Sequence, residues 1–147
     1  MRLITKTAVF ALALVGTVAI AKEGVKDPIV KARQDLMATQ GMNMKVLGGM
    51  AGGKVPFDAA AAEAAKAAIV ATSAEIGAKF KPQATDPVTE AKPEIWTNWA
   101  DFEAKAMALN AAATALDTST LEGVQAGMEG LGGACGACHK VYRIKVE

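Results

Sequence analysis

The chain has 147 residues, sixteen basic against fifteen acidic, and is 52% hydrophobic but only 5% aromatic, with two cysteines and one histidine. That length suits a single domain. A near-neutral balance without a basic patch speaks against a nucleic-acid partner, and one histidine with two cysteines is too few ligands for an ordinary zinc site.

The first 21 residues read as a signal peptide. Arg2 and Lys6 supply the positive start, Thr7 to Ile20 is an uncharged apolar run, and Ala19-Ile20-Ala21 puts small residues where a signal peptidase reads them. The run falls short of the ~20 residues a bilayer span needs, and polar Lys22-Glu23 follows at once. Cleavage is expected after Ala21, leaving residues 22–147 as one exported domain of 126 residues (147 less 21) with no stable membrane insertion. An uncleaved anchor is the alternative, which N-terminal sequencing decides. Without Arg2 and Lys6 the mature chain carries fourteen basic and fifteen acidic residues.

The mature sequence is rich in alanine, and no stretch alternates with the period of a strand, so helix is expected almost throughout. A first helix is predicted from Pro28 to Leu47, with Asp27 as N-cap and Pro28 at the first helical position. Its inward stripe is Ile29, Arg33, Leu36, Met37, Gln40, Met44 and Leu47, and the glycines at 48, 49, 52 and 53 end it. A second runs from Asp58 to Phe80, where Lys81-Pro82 stops it. Residues 81–92 hold two prolines and no periodicity, and are expected to be a long loop. A third helix runs from Pro93 to Leu116, burying Ile95, Trp99, Phe102, Ala106, Leu109, Ala113 and Leu116. Ser119 with Glu122 forms a capping box that opens a last helix, expected to continue to Lys145. Short links make neighbours antiparallel, so the expected fold is all-α, an up-down-up-down four-helix bundle.

The last helix contains Cys135-Gly136-Ala137-Cys138-His139. Cys-x-x-Cys-His is the c-type haem attachment signal: two thiols add across the two vinyl groups of one porphyrin, and the adjacent imidazole goes to the iron. Both cysteines and the only histidine lie inside it. A thiol redox pair would want a helix N-terminus to lower its thiol pKa, whereas this pair sits late in a helix. The same helix carries glycines at 123, 127, 130, 132, 133 and 136. Each costs up to about 1 kcal/mol against alanine, and close approach of a flat macrocycle is one reason to keep them.

The C-terminal Cys135-x-x-Cys138-His139 followed by Tyr142-Arg143, the Pro93-Glu94-Ile95-Trp96 opening of the third helix, and Arg33-Gln34-x-x-Met37 in the first together resemble the class II c-type cytochromes, the cytochrome c′ family. The resemblance covers the whole mature chain. It implies one haem c bound covalently through Cys135 and Cys138, with His139 on the iron, and a periplasmic electron carrier rather than an enzyme, serving redox partner proteins there. Low-spin members place a first-helix methionine on the iron; five-coordinate members leave that face open and bind nitric oxide or carbon monoxide. The stretch from Leu36 to Gly48 looks most like the low-spin members. In an antiparallel pair, the start of the first helix lies beside the end of the last, which puts Met37 near the level of His139 and Met44 about 10 Å further on. Met37 is therefore the candidate ligand. The same level count gathers Arg33, Leu36, Gln40, Phe80, Trp96 and Trp99 around the haem, with Trp96 a wall contact and Arg33 and Arg143 suited to its propionates. Family members occur as monomers and as homodimers through the first two helices, and the sequence permits either.

Overall fold

The computed structural model describes residues 24–144, so the signal peptide and its cleavage point lie outside the described residues. Five helices follow in order: α1 (Pro28–Ala51), α2 (Ala59–Phe80), the single turn α3 (Glu94–Thr97), α4 (Trp99–Ala115) and α5 (Leu121–Tyr142). Each long helix packs on the next, and α5 closes back on α1, which completes the expected four-helix ring. No strand occurs among the described residues, only one isolated bridge between Ala91 and Arg143.

The predicted starts of α1 and α2 hold. The Asp27 carboxylate accepts from the N–H groups of Ile29 and Val30 at 2.8 and 3.0 Å, and that of Asp58 accepts from Ala61 at 3.0 Å. Each satisfies donors that the first helical turn leaves without a partner.

Other boundaries differ, each for a local reason. Helix α1 does not stop at Leu47 but passes through Gly48-Gly49 to Ala51, because Leu47 and Met50 both bury and carry the inward stripe one turn further. It ends at Gly52, followed by Gly53 in the left-handed region at φ +67°, where glycine has no Cβ to clash. The predicted third helix is two. Asn98, at φ −119° and ψ 42°, breaks the ladder and turns the axis so that Ile95 on α3 and Phe102 on α4 both reach the core. The cap of α5 is Thr120, whose hydroxyl accepts from Gly123 N–H at 3.0 Å. Ser119 is not the cap, since its N–H and hydroxyl both donate to the Asp117 carboxylate at 2.9 and 2.7 Å. A short acidic side chain two residues earlier offers Ser119 a local alternative. Finally, α5 ends at Tyr142 rather than near Lys145, because Arg143 turns extended and pairs with Ala91.

The 81–92 segment is a loop, as expected, but a tied one. Thr89 N–H donates to Asp86 C=O at 2.9 Å, Lys92 N–H to Tyr142 C=O at 3.0 Å, and Ile144 N–H to Glu90 C=O at 2.7 Å.

Two of the α5 glycines answer to the α4–α5 link rather than to a macrocycle. A Cβ on Gly123 would stand 2.8 Å from the Asp117 carboxyl group, and one on Gly127 would stand 2.3 Å from the end of Leu116. The link folds down onto bare backbone there.

Candidate functional site

Two crossings set the register of α1 against α5. The terminal methyl of Met128 lies 3.7 Å from where a Cβ on Gly48 would stand, and the Gln125 amide donates to Ala51 C=O at 2.9 Å. The residue numbers of each pair sum to 176, as do those of Met37 and His139. At 1.5 Å rise per residue, Met37 and His139 therefore lie at one level, while Met44 is seven residues, about 10 Å, away from it. Both Met37 and His139 line one cavity of about 680 Å3, within the size range of ligand sites. Met44, which like Met37 packs against the core, does not line that cavity.

The rest of the wall comes from every part of the fold. Gln34, Ala38 and Gly41 face the cavity from α1, Phe80 from α2, Ile95 and Phe102 from α3 and α4, and Cys138, Tyr142 and Arg143 from α5 and its end. Phe102 is the hub of the aromatic side: its ring centre lies 5.2 Å from Phe80, 5.5 Å from Trp99 and 5.4 Å from Tyr142, the last edge-on. Such offset and edge-on pairs hold the rings in fixed orientations.

Arg33 also lines the cavity and is only 3% exposed. Its guanidinium donates through Nε to Lys79 C=O at 3.1 Å, through one amino nitrogen to Ala84 C=O at 3.4 Å, and through the other to Pro82 C=O. Its centre stands 5.2 Å over the Phe80 ring and 5.1 Å over Trp96. Trp96 is thus behind the wall, bracing Arg33 and donating its indole N–H to Phe80 C=O at 2.8 Å. Arg143 pairs with Glu90 at 2.6 Å at the rim. Gln40, on the inward stripe, is buried with its amide nitrogen lacking a partner among the described residues.

Electrostatics point the same way as geometry. Desolvation, and after it the charge of Arg143, lower the His139 pKa, with Glu90 opposing. A neutral imidazole is the form that binds a metal. Burial raises the pKa of both the half-buried Cys135 and Cys138, against the lowered value a thiol redox pair needs.

On α1 the cavity wall is bare at Gly41. Gly41 lies four residues beyond Met37 on its side of α1, and Gly136 and Gly132 lie three and seven residues before His139 on its side of α5. A Cβ on any of the three would meet nothing within 4 Å, whereas the seam closes below them at Gly48 and Met128. Met37, Cys138 and His139 line the cavity, and Cys135, three residues before Cys138 on α5, does not; two thiols, one imidazole and one thioether on these two helices are the donor set of a covalently attached haem. Gly130 and Gly133 face outward, and nothing in the structure explains them.

Several residues of this site carried little sequence signal. Val88 to Ala91, with Gly24 and Val25 ahead of α1, complete the cavity wall from stretches without periodicity. The Asp86-Pro87 dipeptide, a turn signal, was the one pointer to an ordered connection there.

Comparisons with known proteins agree. The profile of the family described as Cytochrome C′ matches residues 28–143. The chain is 34% identical to a cytochrome c-556 of Agrobacterium fabrum, covering 99% of this chain and 97% of that one. It superposes on cytochrome c′ from Rhodopseudomonas palustris with a TM-score of 0.76 and 29% identity, over 83% of this chain and all of that one. It superposes as well on a nitric oxide complex of a mutant cytochrome c prime from Alcaligenes xylosoxidans, with a TM-score of 0.72 and 30% identity, over 80% and 94% of the two chains.

Proposed function

The chain belongs to the cytochrome c′ family, whose cofactor is covalently bound haem c, and from that premise we propose that it is a periplasmic single-haem electron carrier with His139 and Met37 as axial ligands. The observation that carries this reading is that Met37 and His139 line one cavity at one level of the α1–α5 seam. When bound, the haem supplies a one-electron iron couple.

The chain's own residues then divide the work. Cys135 and Cys138 would anchor the group through thioethers. The imidazole of His139 and the soft thioether of Met37 would hold its iron. With both ligands in place coordination would change little between oxidation states, and sulfur ligation would raise the potential. Phe80, Ile95, Phe102 and Tyr142 keep water away. Arg33 and Arg143 would answer its propionates, Arg33 as a buried cation with no carboxylate in hydrogen-bond contact among the described residues and Arg143 from its pair with Glu90 at the rim. Trp96 acts at one remove by holding Arg33. Export rests on the sequence of residues 1–21, and no described helix is long and apolar enough to cross a membrane.

A second reading, a five-coordinate cytochrome c′ that binds nitric oxide or carbon monoxide, is favoured by the likeness to the nitric oxide complex. There Met37 would only line the open face. Visible spectra of the reduced holoprotein with and without carbon monoxide separate the two. The carrier reading expects sharp low-spin bands unmoved by the gas, and expects Met37→Ala to open the iron to it and lower the potential. A spectrum and potential unchanged in Met37→Ala sink the ligand assignment.

A further inference from the structure

One wall of the cavity is built by no helix. Gly24 and Val25, ahead of α1, and Val88 and Thr89, in the α2–α3 connection, line it together. These stretches are some sixty residues apart in the chain, and the Asp86 side chain joins them. The carboxylate of Asp86, only 8% exposed, accepts from the N–H groups of Lys26 and Asp27 at 2.9 Å each and from Val88 N–H at 3.0 Å. The local sequence prepares this geometry. An aspartate readily accepts from the N–H two residues on, and Pro87 restricts the backbone between them. A further tie across the opening comes from Gln34 on α1, whose amide donates to Val88 C=O at 3.0 Å.

Both ends of the connection are held without Asp86. Arg33 fixes the carbonyls of Lys79, Pro82 and Ala84 upstream, and the bonds from Ile144 to Glu90 and from Lys92 to Tyr142 fix the downstream end. Loss of the carboxylate therefore removes the two bonds that join the stretch before α1 to residue 86, and the turn bond from Val88, while Asp27 still caps α1 and the bundle stays in place.

We propose that residues 24–27 and 86–89 form a strap across the mouth of the haem pocket, clasped by Asp86, that limits the access of small diatomic ligands to the side where Met37 lies. The inference rests on the haem assignment above but not on the choice of sixth ligand. Closed, the strap puts protein over the edge of the cavity. A ligand must wait for it to open, and the opening equilibrium depends on the two hydrogen bonds from Lys26 and Asp27 to one charged acceptor, together with the Gln34 tie.

The test uses the reduced, haem-loaded protein with Met37→Ala as background, since that change removes the Met37 side chain on either reading and leaves carbon monoxide association to report access. Adding Asp86→Ala is expected to raise the association rate about tenfold or more, the equivalent of ~1.4 kcal/mol in the opening equilibrium. Asp86→Asn, which keeps one acceptor oxygen without the charge, is expected to fall between, and serves if the alanine variant folds poorly. Hydrogen exchange at the Lys26, Asp27 and Val88 amides should accelerate in step, with the visible spectrum before gas unchanged. Unchanged association alongside lost amide protection overturns the strap as a barrier. Retained protection overturns Asp86 as its clasp. Should wild-type protein bind carbon monoxide readily, the Met37 ligand assignment fails while this comparison still stands.

Discussion

Arg33→Met replaces a guanidinium that is 3% exposed with an uncharged chain of similar reach. The side chain gives hydrogen bonds to the carbonyls of Lys79, Pro82 and Ala84 and rests on the faces of Phe80 and Trp96. Desolvation of the buried cation offsets part of its charge-assisted bonding, as its lowered pKa indicates. Each bond is therefore counted at the neutral value of about 1 kcal/mol. The two ring contacts add ~0.5 kcal/mol each. The expected loss is about 4 kcal/mol, and at roughly 4 °C per kcal/mol for a domain of this size the Tm should fall by about 15 °C. Arg33→Lys keeps the charge but loses the planar fork that reaches three carbonyls, and should lose about half as much. Thermal unfolding of the holoprotein, followed by circular dichroism with and without denaturant, measures both. A loss below about 1 kcal/mol for Arg33→Met would mean that burying the cation cancels everything it donates. The α2–α3 connection would then be held by its other ties, and Arg33 would not be its upstream anchor.

The single tyrosine offers a clean titration. Tyr142 donates to the Asp101 carboxylate at 2.6 Å, and that bond, with burial and the Asp101 charge, pushes its pKa up to about 12. Phenolate absorbance should stay absent until near pH 12. The raised folded value means that this stabilisation is complete below the unfolded pKa near 10 and is lost as pH rises through about 12; a phenolate forming near 10 in folded protein refutes the contact. Among the glycines of α5, Gly130→Ala adds a Cβ to open space and should stabilise by up to about 1 kcal/mol. Gly127→Ala should destabilise by about 1 kcal/mol or more, because its Cβ would meet Leu116. Paired denaturant melts check the opposite signs, and equal effects would mean that Leu116 moves aside at no cost.

Most of the chemistry lies within a few residues of chain and is legible there. Cys135, Cys138 and His139 are nearly contiguous, so their joint meaning needs no fold, and the antiparallel level count places Met37 opposite His139 because helical rise is constant. The caps Asp27 and Asp58 are equally local. Two kinds of feature escape such rules. At Ser119 and at the glycines 48 and 49, neighbouring groups override the local signal: Asp117 captures Ser119, and the burial of Leu47 and Met50 carries α1 through its glycines. The other kind concerns partners far apart in sequence. Trp96, expected on the haem wall, stands behind Arg33, and Arg33 finds its acceptors about fifty residues away.

The sequence by itself determined that the chain is helical, that it carries the thiols and imidazole a haem needs, and which end of which helix presents them, because propensity, capping and motif spacing all act over a few residues. Only the tertiary structure decided what surrounds them. The cavity that Met37 and His139 share, the break at Asn98 and the Asp86 bridge from Val88 to Lys26 and Asp27 depend on groups that meet only after the bundle closes, and a donor on one stretch says nothing about which distant carbonyl or carboxylate will be left to receive it.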